Sequence, residues 1–573
     1  APFDDNGAPE AAEKYKCKSK WNLDLCSFAK SSVMYPLSLL LLGWTSSVSA
    51  KSLKSPTPPM GWNTYNAYNC NPSEQKVQLN AQGLVDLGLN KLGYNIVTPD
   101  CGWNANSRDS SNKLQWNTTL FPSGGKALGD YLHGLGLKFG LYSGAGYLQC
   151  GSTVIPGSLG YEDIDAQSFS SWGGDSLKYD NCYATSKTTM VDSDSAEAKS
   201  PARFQKMATS LESVDRSFQY FICQWGIGEN VGEWASKIGN TWRMSNDIYN
   251  AWRSIWRITN QVVPYWRNTR PGAFPDMDML LVGLNVLSAE EERFHFGMWA
   301  INKSPLMLGG ILDSKLSKTS LAIMSNKEVI AINQDSLAKQ AQLVRRYTVE
   351  EWDVWLGELS GSRKVIGIAN WRNQSQIVSV DLTSLGILSA TVRDVWAAKE
   401  AGRLSGTQTV NLAAHELKLW VLSNITTANT PTSTYYQAAS ARLAGGSSVS
   451  TCSSGDCLPA GKKVGNIASG ASVTFDSVSA KRTKAVVGVD FINYDYAFTT
   501  AWDWGSNTRN MTIAVNGGSA KRWAFPLSGE DWYETGRLNV EIDGLKVGSG
   551  NSIVFGNFGT AYAPDLVGIE VFG

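Results

Sequence analysis

Histidine is scarce in this sequence, which contains 3 histidines among 573 residues. Zinc sites in proteins depend heavily on imidazole ligands, and the sequence contains no H-E-x-x-H segment. The chain also lacks an excess of either charge, since 51 lysines and arginines balance 51 aspartates and glutamates. A neutral balance offers no broad basic face to a nucleic acid. We therefore predict no metal ion, no other cofactor and no nucleic-acid partner.

Long apolar runs are also missing, with one exception between Met34 and Ala50, "MYPLSLLLLGWTSSVSA". The run is too short to span a bilayer and ends in small residues, which is typical of a secretory signal. It predicts cleavage after Ala50, so that residues 1–50 form a leader and the mature protein begins near Lys51. The alternative is a buried helix in an N-terminal domain. The first interpretation predicts a secreted, extracellular protein with no membrane partner.

A secreted protein can carry disulfides. Two cysteines, in "CSSGDC", are close enough in sequence to close a small loop, and spacing alone does not pair the others. Because the number of cysteines after the leader is odd, one of them must stay free. The seven cysteines after the leader are Cys70, Cys101, Cys150, Cys182, Cys223, Cys452 and Cys457.

Several N-x-S/T sequons indicate a glycosylated eukaryotic product. A sequon at Asn302 lies in an apolar helical stretch, where we expect the asparagine to be buried. The four candidate glycosylation sites are Asn117, Asn373, Asn424 and Asn510.

The chain is too long for one ordinary domain, and its pattern changes twice. Over residues 56–335, β-branched or aromatic runs such as "LKFGLYSG", "DSLKYDNC" and "FQYFICQWG" alternate with helical segments such as "PARFQKMATSLESV". Such alternation predicts an α/β fold, a (β/α)₈ TIM barrel. A doubly wound open sheet is the alternative, although no G-x-G-x-x-G follows a first strand to support a nucleotide-binding version.

The remainder of the chain is predicted to be all β. Residues 340–423 contain alternating strands without intervening helices, which predicts an antiparallel β domain. Residues 424–433, "NITTANTPTS", are rich in threonine and asparagine and are interpreted as a linker. Residues 434–573 contain short strands separated by Gly, Ser and Asn turns, as in a β-sandwich.

One predicted strand carries a lysine and a carboxylate on the same face. In "SLKYDN", Lys178 and Asp180 are two residues apart and therefore point to one side of the strand. At the carboxyl end of a barrel strand they would face the mouth of the barrel, where active sites of this fold are built. An ionised aspartate beside an ammonium group suits a nucleophile. A salt bridge at the strand end is the alternative.

Further acidic residues follow other predicted strands. "TWRMSNDI" supplies Arg243 and Asp247 without a hydrophobic reason for either, and glycosidases use such a second carboxyl group. The distance between the two carboxyl groups remains open from sequence. Asp100, Asp276 and Asp278 also lie near strand ends, and acids among Trp and Tyr suit a neutral polyhydroxylated ligand. Metal binding is the rival interpretation.

Five ordered segments, "PPMGWNTYNAYNC", "TPDCGW", "LKYDNC", "WRMSNDI" and "FPDMDML", give the chain a specific resemblance. Over residues 56–423 it resembles glycoside hydrolase family 27, the α-galactosidase and α-N-acetylgalactosaminidase family. The resemblance implies a retaining double displacement, with Asp180 as nucleophile and Asp247 as acid/base. The implied activity is that of a secreted exo-acting α-galactosidase on oligosaccharides, galactomannans or galactolipids.

The same resemblance implies roles for other residues. Arg243 would reach the sugar near its 2-hydroxyl, and Lys178 would grip the substrate while keeping Asp180 charged. It also implies the disulfides Cys70–Cys101 and Cys150–Cys182, which would leave Cys223 free. The implied substrate-binding residues are Asp100, Lys178, Arg243, Tyr65, Trp62, Tyr142, Trp225 and Asp278.

The sequence departs from the family pattern at two positions near the sugar pocket. Pro99 stands where relatives commonly have the first acid of "DDC", and Tyr65 stands where they usually have tryptophan. Both positions lie near the wall that meets the C6 hydroxymethyl of galactose. β-L-Arabinopyranose lacks that group, so β-L-arabinopyranosidase is the alternative activity. A non-catalytic sugar-binding protein is the alternative of another class, which the presence of Asp180 and Asp247 disfavours.

The region from residue 434 onward resembles a carbohydrate-binding module of family 35, mainly through "APDLVGIEVFG". The resemblance implies a polysaccharide partner. Such modules often hold calcium with a glutamate of an "EAE"-like strand, but Gln437 and Ala439 occupy the corresponding "YYQAAS" stretch, so we expect no calcium. Trp502, Trp504 and Trp532 are candidates for a sugar platform, with core packing as the alternative.

Overall fold

A computed structural model describes residues 55–228, 230–496 and 507–573. The predicted leader, its signal run and the tryptophans Trp502 and Trp504 lie outside the described residues. Among the described residues, no helix combines the length and the apolar character needed to cross a membrane.

The first part of the described chain is a closed barrel of parallel strands. β1 pairs with β2 on one side and with β8 on the other, and a bridge between Leu280 and Leu308 links the segment after β7 to β8. This closure confirms the predicted TIM barrel and excludes the open-sheet alternative. The barrel strands are β1 (Met60–Asn63), β2 (Ile96–Thr98), β3 (Lys138–Gly144), β4 (Ser176–Asp180), β5 (Gln219–Cys223), β6 (Thr241–Arg243), β7 (Phe274–Asp276) and β8 (Leu306–Leu308).

Helices follow the barrel strands and cover the ring. Local sequence explains their ends. For example, the Ser288 side chain caps α9 (Ala289–Ile301) by accepting a hydrogen bond from Glu291 N, and the Glu291 carboxylate accepts one from the backbone N–H of Ser288. Short 3₁₀ turns cover Asn90–Leu92 and Val263–Arg267. The α-helices are α1 (Tyr65–Tyr68), α2 (Glu74–Asp86), α3 (Gly124–Gly134), α4 (Glu162–Ser171), α5 (Ala196–Lys199), α6 (Ala202–Glu212), α7 (Val231–Ile238), α8 (Trp252–Val262), α9 (Ala289–Ile301), α10 (Lys318–Met324) and α11 (Lys327–Asn333).

The second part is an antiparallel β domain built from a larger sheet, in the order β14-β13-β16-β11-β10-β9, and the pair β12-β15. Its own apolar core includes Ile366, Val392 and Leu422. A 3₁₀ turn covers Thr383–Leu385. The strands are β9 (Gln342–Tyr347), β10 (Trp352–Leu359), β11 (Arg363–Asn370), β12 (Gln376–Asp381), β13 (Ile387–Asp394), β14 (Lys399–Ser405), β15 (Thr407–Leu412) and β16 (Leu417–Thr427).

The predicted linker is shorter than expected. β16 continues to Thr427, which pairs with Ile387 of β13, so the first residues of the interval 424–433 belong to a strand. The β-branched run "NITT" fits this extension. The connection between the second and third parts is therefore confined to the residues between Thr427 and Ser433, where β17 begins.

The third part is a two-layered β-sandwich, as the sequence predicted. One sheet has the order β19-β20-β27-β22-β25 with β17 paired to β27, and the other has the order β18-β21-β26-β23-β24. A 3₁₀ turn covers Ala438–Ser440. The strands are β17 (Ser433–Gln437), β18 (Arg442–Ala444), β19 (Ser448–Thr451), β20 (Lys462–Gly465), β21 (Ser472–Ala480), β22 (Lys484–Ile492), β23 (Arg509–Val515), β24 (Lys521–Phe525), β25 (Gly536–Asp543), β26 (Gly548–Asn557) and β27 (Asp565–Phe572).

Candidate active site

A cavity opens at the carboxyl ends of the barrel strands. Asp180 is the last residue of β4, and Arg243 is the last residue of β6. Because parallel strands end at one rim of the barrel, these side chains meet although they are far apart in sequence. The cavity is lined by Tyr65, Asp100, Cys101, Cys150, Lys178, Asp180, Arg243, Asp247, Asp278 and Met279.

Asp180 is held by three hydrogen-bond donors. Its Oδ2 accepts a bond of 3.0 Å from the Tyr142 hydroxyl, and its Oδ1 accepts bonds of 3.0 Å from Trp225 Nε1 and 2.9 Å from its neighbour's backbone N–H. Only 7% of the residue is exposed. Donors from three different elements fix the carboxylate in one orientation, as a nucleophile requires.

Lys178 does not form an ion pair with Asp180, so the alternative of a salt bridge between these two residues at the strand end is excluded. Its Nζ donates to Asp100 Oδ2 at 2.8 Å, and Asn63 Nδ2 donates to the same oxygen at 2.7 Å. Burial raises the pKa of Asp180 above its ordinary value, and Lys178 only opposes that rise. The ammonium therefore acts on Asp180 at longer range, and its direct partner is Asp100.

Arg243 connects two carboxylates on the opposite side of the cavity. Its Nη2 lies 2.6 Å from Asp247 Oδ1 and 3.0 Å from Asp278 Oδ2. Asp278 also accepts a bond of 2.7 Å from the backbone N–H of Ile248, directly after Asp247. Asp278 therefore orients both the guanidinium and the segment that carries Asp247.

Asp247 differs from Asp180 in its exposure. Half of its side chain is open to the cavity, with an exposed fraction of 50%. Burial acts to raise its pKa, but the Arg243 guanidinium outweighs that effect and holds the pKa below its ordinary value in the unliganded protein. A carboxyl group that is both oriented and accessible is suited to exchange protons with a ligand.

The aromatic residues predicted to bind substrate occupy different places. Tyr65 lines the cavity, with Lys178 Nζ 5.6 Å from the centre of its ring. Burial raises the pKa of Tyr65 to about 12, so its hydroxyl stays protonated. Tyr142 is fully buried and reaches the cavity only through its bond to Asp180. Trp62 is fully buried, and its Nε1 donates to the carbonyl of Gly310 at 2.7 Å, so it contacts the barrel interior instead of an incoming ligand.

Some site residues were not predicted. The Asn63 side-chain amide donates a hydrogen bond to Asp100. The sulfur of Cys223, the last residue of β5, lies 3.7 Å from Arg243 Nη1. Burial raises the pKa of the Cys223 thiol well above its ordinary value, so the sulfur is uncharged. Cys223 lies in the predicted strand run "FQYFICQWG", and Asn63 lies in the motif "PPMGWNTYNAYNC"; these positions were the available signals. Below the rim, the floor of the barrel mouth adds Asn63, Thr98, Phe221, Ile222, Cys223, Asp276 and Met307.

Asp276 completes the floor beneath Arg243. It ends β7, and its Oδ1 accepts a bond of 2.8 Å from the backbone N–H of Asp278. Burial raises its pKa to about 6. Several carboxyl groups therefore surround the ammonium of Lys178 and the guanidinium of Arg243 in one small space.

Two disulfides frame the cavity. Cys70–Cys101 and Cys150–Cys182 are both present, and Cys101 and Cys150 line the opening. Cys452–Cys457 closes its small loop in the third part, and Cys223 is free and buried. The Cys150–Cys182 bond anchors the segment directly after Asp180.

The sequon asparagines differ in accessibility. Asn373 and Asn424 are exposed, and Asn117 and Asn510 are partly exposed. Asn302 is fully buried, and its Nδ2 donates to the carbonyl of Met298 at 3.0 Å. The expectation that Asn302 is inaccessible is therefore confirmed.

In the third part, Trp532 is partly buried and packs in the sandwich. Its ring lies 6.4 Å from that of Tyr494, and the Arg509 guanidinium lies 4.7 Å from its centre. A separate open groove of this part is lined by Tyr435, Tyr436, Gln437, Ser440, Ala441, Arg442, Thr474, Phe475 and Asp476.

Comparison with known proteins gives matches over most of the chain. Residues 57–335 match the family model of α-galactosidase A, and residues 349–422 match that of the α-galactosidase C-terminal β-sandwich domain. The chain is 38% identical to the probable α-galactosidase D of Aspergillus niger, over 90% of this chain and 95% of that protein. It is 37% identical to the α-galactosidase D of Emericella nidulans, with the same coverage of 90% and 95%.

Among solved structures, α-galactosidase I from Mortierella vinacea superimposes with a TM-score of 0.61 and 34% identity. The superposition covers 67% of this chain and 100% of that protein.

Proposed function

Because the chain belongs to the α-galactosidase family of glycoside hydrolases, we propose that it removes terminal α-D-galactosyl residues from the non-reducing ends of its substrates with retention of configuration. The observation that carries the proposal is the pair Asp180 and Asp247 in one cavity. One carboxylate is buried and held by three donors, and the other is accessible and positioned by an arginine. These are the two roles that a retaining glycosidase divides between its carboxyl groups.

In the first step, Asp180 attacks the anomeric carbon while Asp247 gives its proton to the departing glycosidic oxygen. The carbon–oxygen bond to the leaving group breaks, and an ester to Asp180 forms. In the second step, Asp247 takes a proton from water, whose oxygen attacks the same carbon and releases Asp180. Carboxylates around the cavity favour the positive charge that develops on the sugar in both transition states.

The sugar hydroxyls have charged partners in the same cavity. Asp100 and Lys178 form one ion pair at 2.8 Å, and both line the opening. We assign them, together with Arg243 and Tyr65, to binding of the galactosyl group. Trp62, which is fully buried, is assigned a supporting role in the barrel wall.

We expect hydrolysis to be fastest in acid. Reaction of the free enzyme requires Asp180 ionised and Asp247 protonated, and Arg243 holds the pKa of Asp247 low. As pH rises above the pKa values of both carboxyl groups, the form with Asp247 protonated is lost, so kcat/KM for an unactivated α-galactoside should fall by about tenfold or more between pH 5 and pH 7.5. Because burial raises the pKa of Asp180 above that of Asp247, the reactive form is a minority of the free enzyme, and its population also declines as pH falls below both pKa values.

Initial rates measured from pH 3 to pH 8 test this expectation. Because the two carboxyl groups share one cavity, the two apparent pKa values of the pH–rate profile belong to the pair of groups and not to single residues. A profile that is level from pH 5 to pH 8 would contradict the assignment of Asp247 as the proton donor.

The sugar preference depends on the wall beside Asp100. Pro99 is buried and offers no side-chain acceptor, so contact with the C6 hydroxyl is weaker than in relatives with an acid there. A site that bonds a hydroxyl discriminates strongly against substrates lacking it. We therefore expect the p-nitrophenyl α-galactoside to react faster and the β-L-arabinopyranoside to be a measurable second substrate.

A Pro99→Asp variant should raise the ratio of kcat/KM for galactoside over arabinopyranoside by about tenfold, the value of one hydrogen bond. The matched control is Pro99→Ala, which removes the ring without adding an acceptor and should leave the ratio within about twofold. Faster hydrolysis of arabinopyranoside by the unmodified protein would replace the proposed activity by β-L-arabinopyranosidase. An unchanged ratio in folded Pro99→Asp would limit Pro99 to a structural role.

Three further features extend the proposal beyond the reaction. Disulfides and accessible sequons suit a secreted glycoprotein whose leader ends at Ala50. The third part, which resembles a carbohydrate-binding module of family 35, would hold a galactose-bearing polysaccharide near the cavity. The natural substrates would be galacto-oligosaccharides, galactomannans or galactolipids.

A further inference from the structure

The third part of the chain contacts the loop between β5 and α7, which carries a residue of the active site. The Tyr494 hydroxyl donates to the carbonyl of Gly228 at 3.1 Å, and the Tyr496 hydroxyl donates to the carbonyl of Trp225 at 2.7 Å. In the first turn of α7, directly after this loop, the backbone N–H of Gly232 donates to Glu530 Oε1 at 2.6 Å. Side chains of the β-sandwich therefore hold the loop at two points and the start of α7 at a third.

Trp225 needs such support because its backbone is strained. Its φ angle is +71°, in the left-handed region that bulky residues avoid, and the following Gly226 has the same value. A Cβ on Gly226 would lie 2.2 Å from the carbonyl oxygen of Met244, so the loop also lies close against the segment after β6. Strained conformations persist only where the surrounding structure holds them.

The strained residue contacts the nucleophile directly. Trp225 Nε1 donates to Asp180 Oδ1 at 3.0 Å, and only 4% of Trp225 is exposed. Tyr496 packs against the apolar cluster that contains Trp225, Tyr183 and Cys182. One path thus runs from the β-sandwich through Tyr496 and the Trp225 backbone to the carboxylate of Asp180.

We propose that Tyr496 is a positioning residue for catalysis, which fixes Trp225 so that its indole N–H donates to Asp180. The inference rests on the proposed role of Asp180 as nucleophile. It makes the β-sandwich a part of the active-site architecture, whatever polysaccharide that sandwich also binds. Truncation at the linker between Thr427 and Ser433 would then remove a support of the catalytic centre.

The test removes the Tyr496 hydroxyl, which donates to the carbonyl of Trp225. Tyr496→Phe deletes the hydroxyl and keeps the ring, and we expect kcat/KM on the p-nitrophenyl galactoside to fall about tenfold, the loss of one well-placed hydrogen bond. The matched control is Tyr436→Phe, since Tyr436 accepts a bond of 2.9 Å from Ser479 N within the same sandwich. The control should keep kcat and KM within about twofold of the unmodified protein.

Two readouts separate positioning from general stability. A donor to a carboxylate favours its ionised form, so loosening Trp225 should raise the pKa of Asp180 and move the inflection that this group sets in the kcat/KM profile to higher pH in Tyr496→Phe. In a Trp225→Phe background, which lacks the indole donor, Tyr496→Phe should have no further effect. The charged or titratable groups facing Asp180 remain in every variant: Lys178, Asp100, Asp247, Tyr65, Tyr142 and Cys223.

Activity of Tyr496→Phe equal to that of the control, or effects of Tyr496→Phe and Trp225→Phe that simply multiply, would overturn the inference. A lowered melting temperature with unchanged kcat below the transition would also overturn it, because Tyr496 would then only stabilise the fold. If Asp180→Asn is inactive while Tyr496→Phe behaves as the control, the inference alone fails. If Asp180→Asn keeps its activity, the assignment of Asp180 as nucleophile is wrong, and the inference about Tyr496 loses its premise.

Discussion

Replacing Asp180 with asparagine should lower kcat by about 10⁴-fold or more, the largest effect expected from any single substitution in this protein. An amide cannot form the glycosyl ester, so the double displacement has no first step. The size of the side chain is kept. Its one oxygen can still accept from Trp225 Nε1, and its new N–H group can donate to the Tyr142 hydroxyl oxygen, which changes from donor to acceptor. The fold should therefore survive, and a melting curve checks this.

The matched control for this substitution is Asp163→Asn. Asp163 has an exposed side chain that pairs with Lys206, and it is not among the residues that line the cavity. It undergoes the same chemical change and should keep kcat within about twofold. Turnover of purified Asp180→Asn similar to that of this control would remove Asp180 from the mechanism.

Reaction with azide is a second, independent test of the role of Asp180 as nucleophile. In Asp180→Gly, the space left by the carboxylate admits an external anion, which attacks the anomeric carbon once and inverts it. An activated α-galactoside should then give β-galactosyl azide. An α-configured azide from this variant would show that another residue still forms the glycosyl ester.

Replacing Asp247 with asparagine should produce a loss that depends on the leaving group. Without the acid, kcat/KM on an alkyl or sugar α-galactoside should fall by about 10³-fold, within the range of general acid–base catalysis. A dinitrophenyl galactoside needs little protonation to depart, so its kcat/KM should fall by about tenfold at most. Steady-state rates on both substrates, with the same enzyme preparation, measure the difference.

The structure indicates that this variant keeps the geometry of the site. Arg243 retains Asp278 at 3.0 Å when Asp247 loses its charge, so the buried guanidinium still has an ionic partner. Azide should restore turnover of the activated substrate and give α-galactosyl azide, because it attacks the ester of Asp180 in the second step. Equal losses on the two substrates would contradict the acid role.

Several features of this protein were predictable from short segments of sequence. The alternation of strands and helices over residues 56–335 is a local pattern, and so is the placement of Asp180 at the end of β4. The disulfide of "CSSGDC" needed only its five-residue separation. The resemblance of five ordered motifs supplied the roles of the two carboxyl groups, which no periodicity reveals.

The sequence alone therefore determined the barrel, the two β parts and the strand ends from which the site is built, because each of these depends on residues a few positions apart. Only the tertiary structure decided which side chains meet. Lys178 pairs with Asp100, 78 positions away, instead of Asp180 two positions away, because closing the barrel brings the end of β2 to its side chain. Tyr496 reaches Trp225 across 271 positions because the β-sandwich docks on the barrel loop. Contacts of this kind depend on how whole elements pack in space, and no pattern of neighbouring residues contains that information.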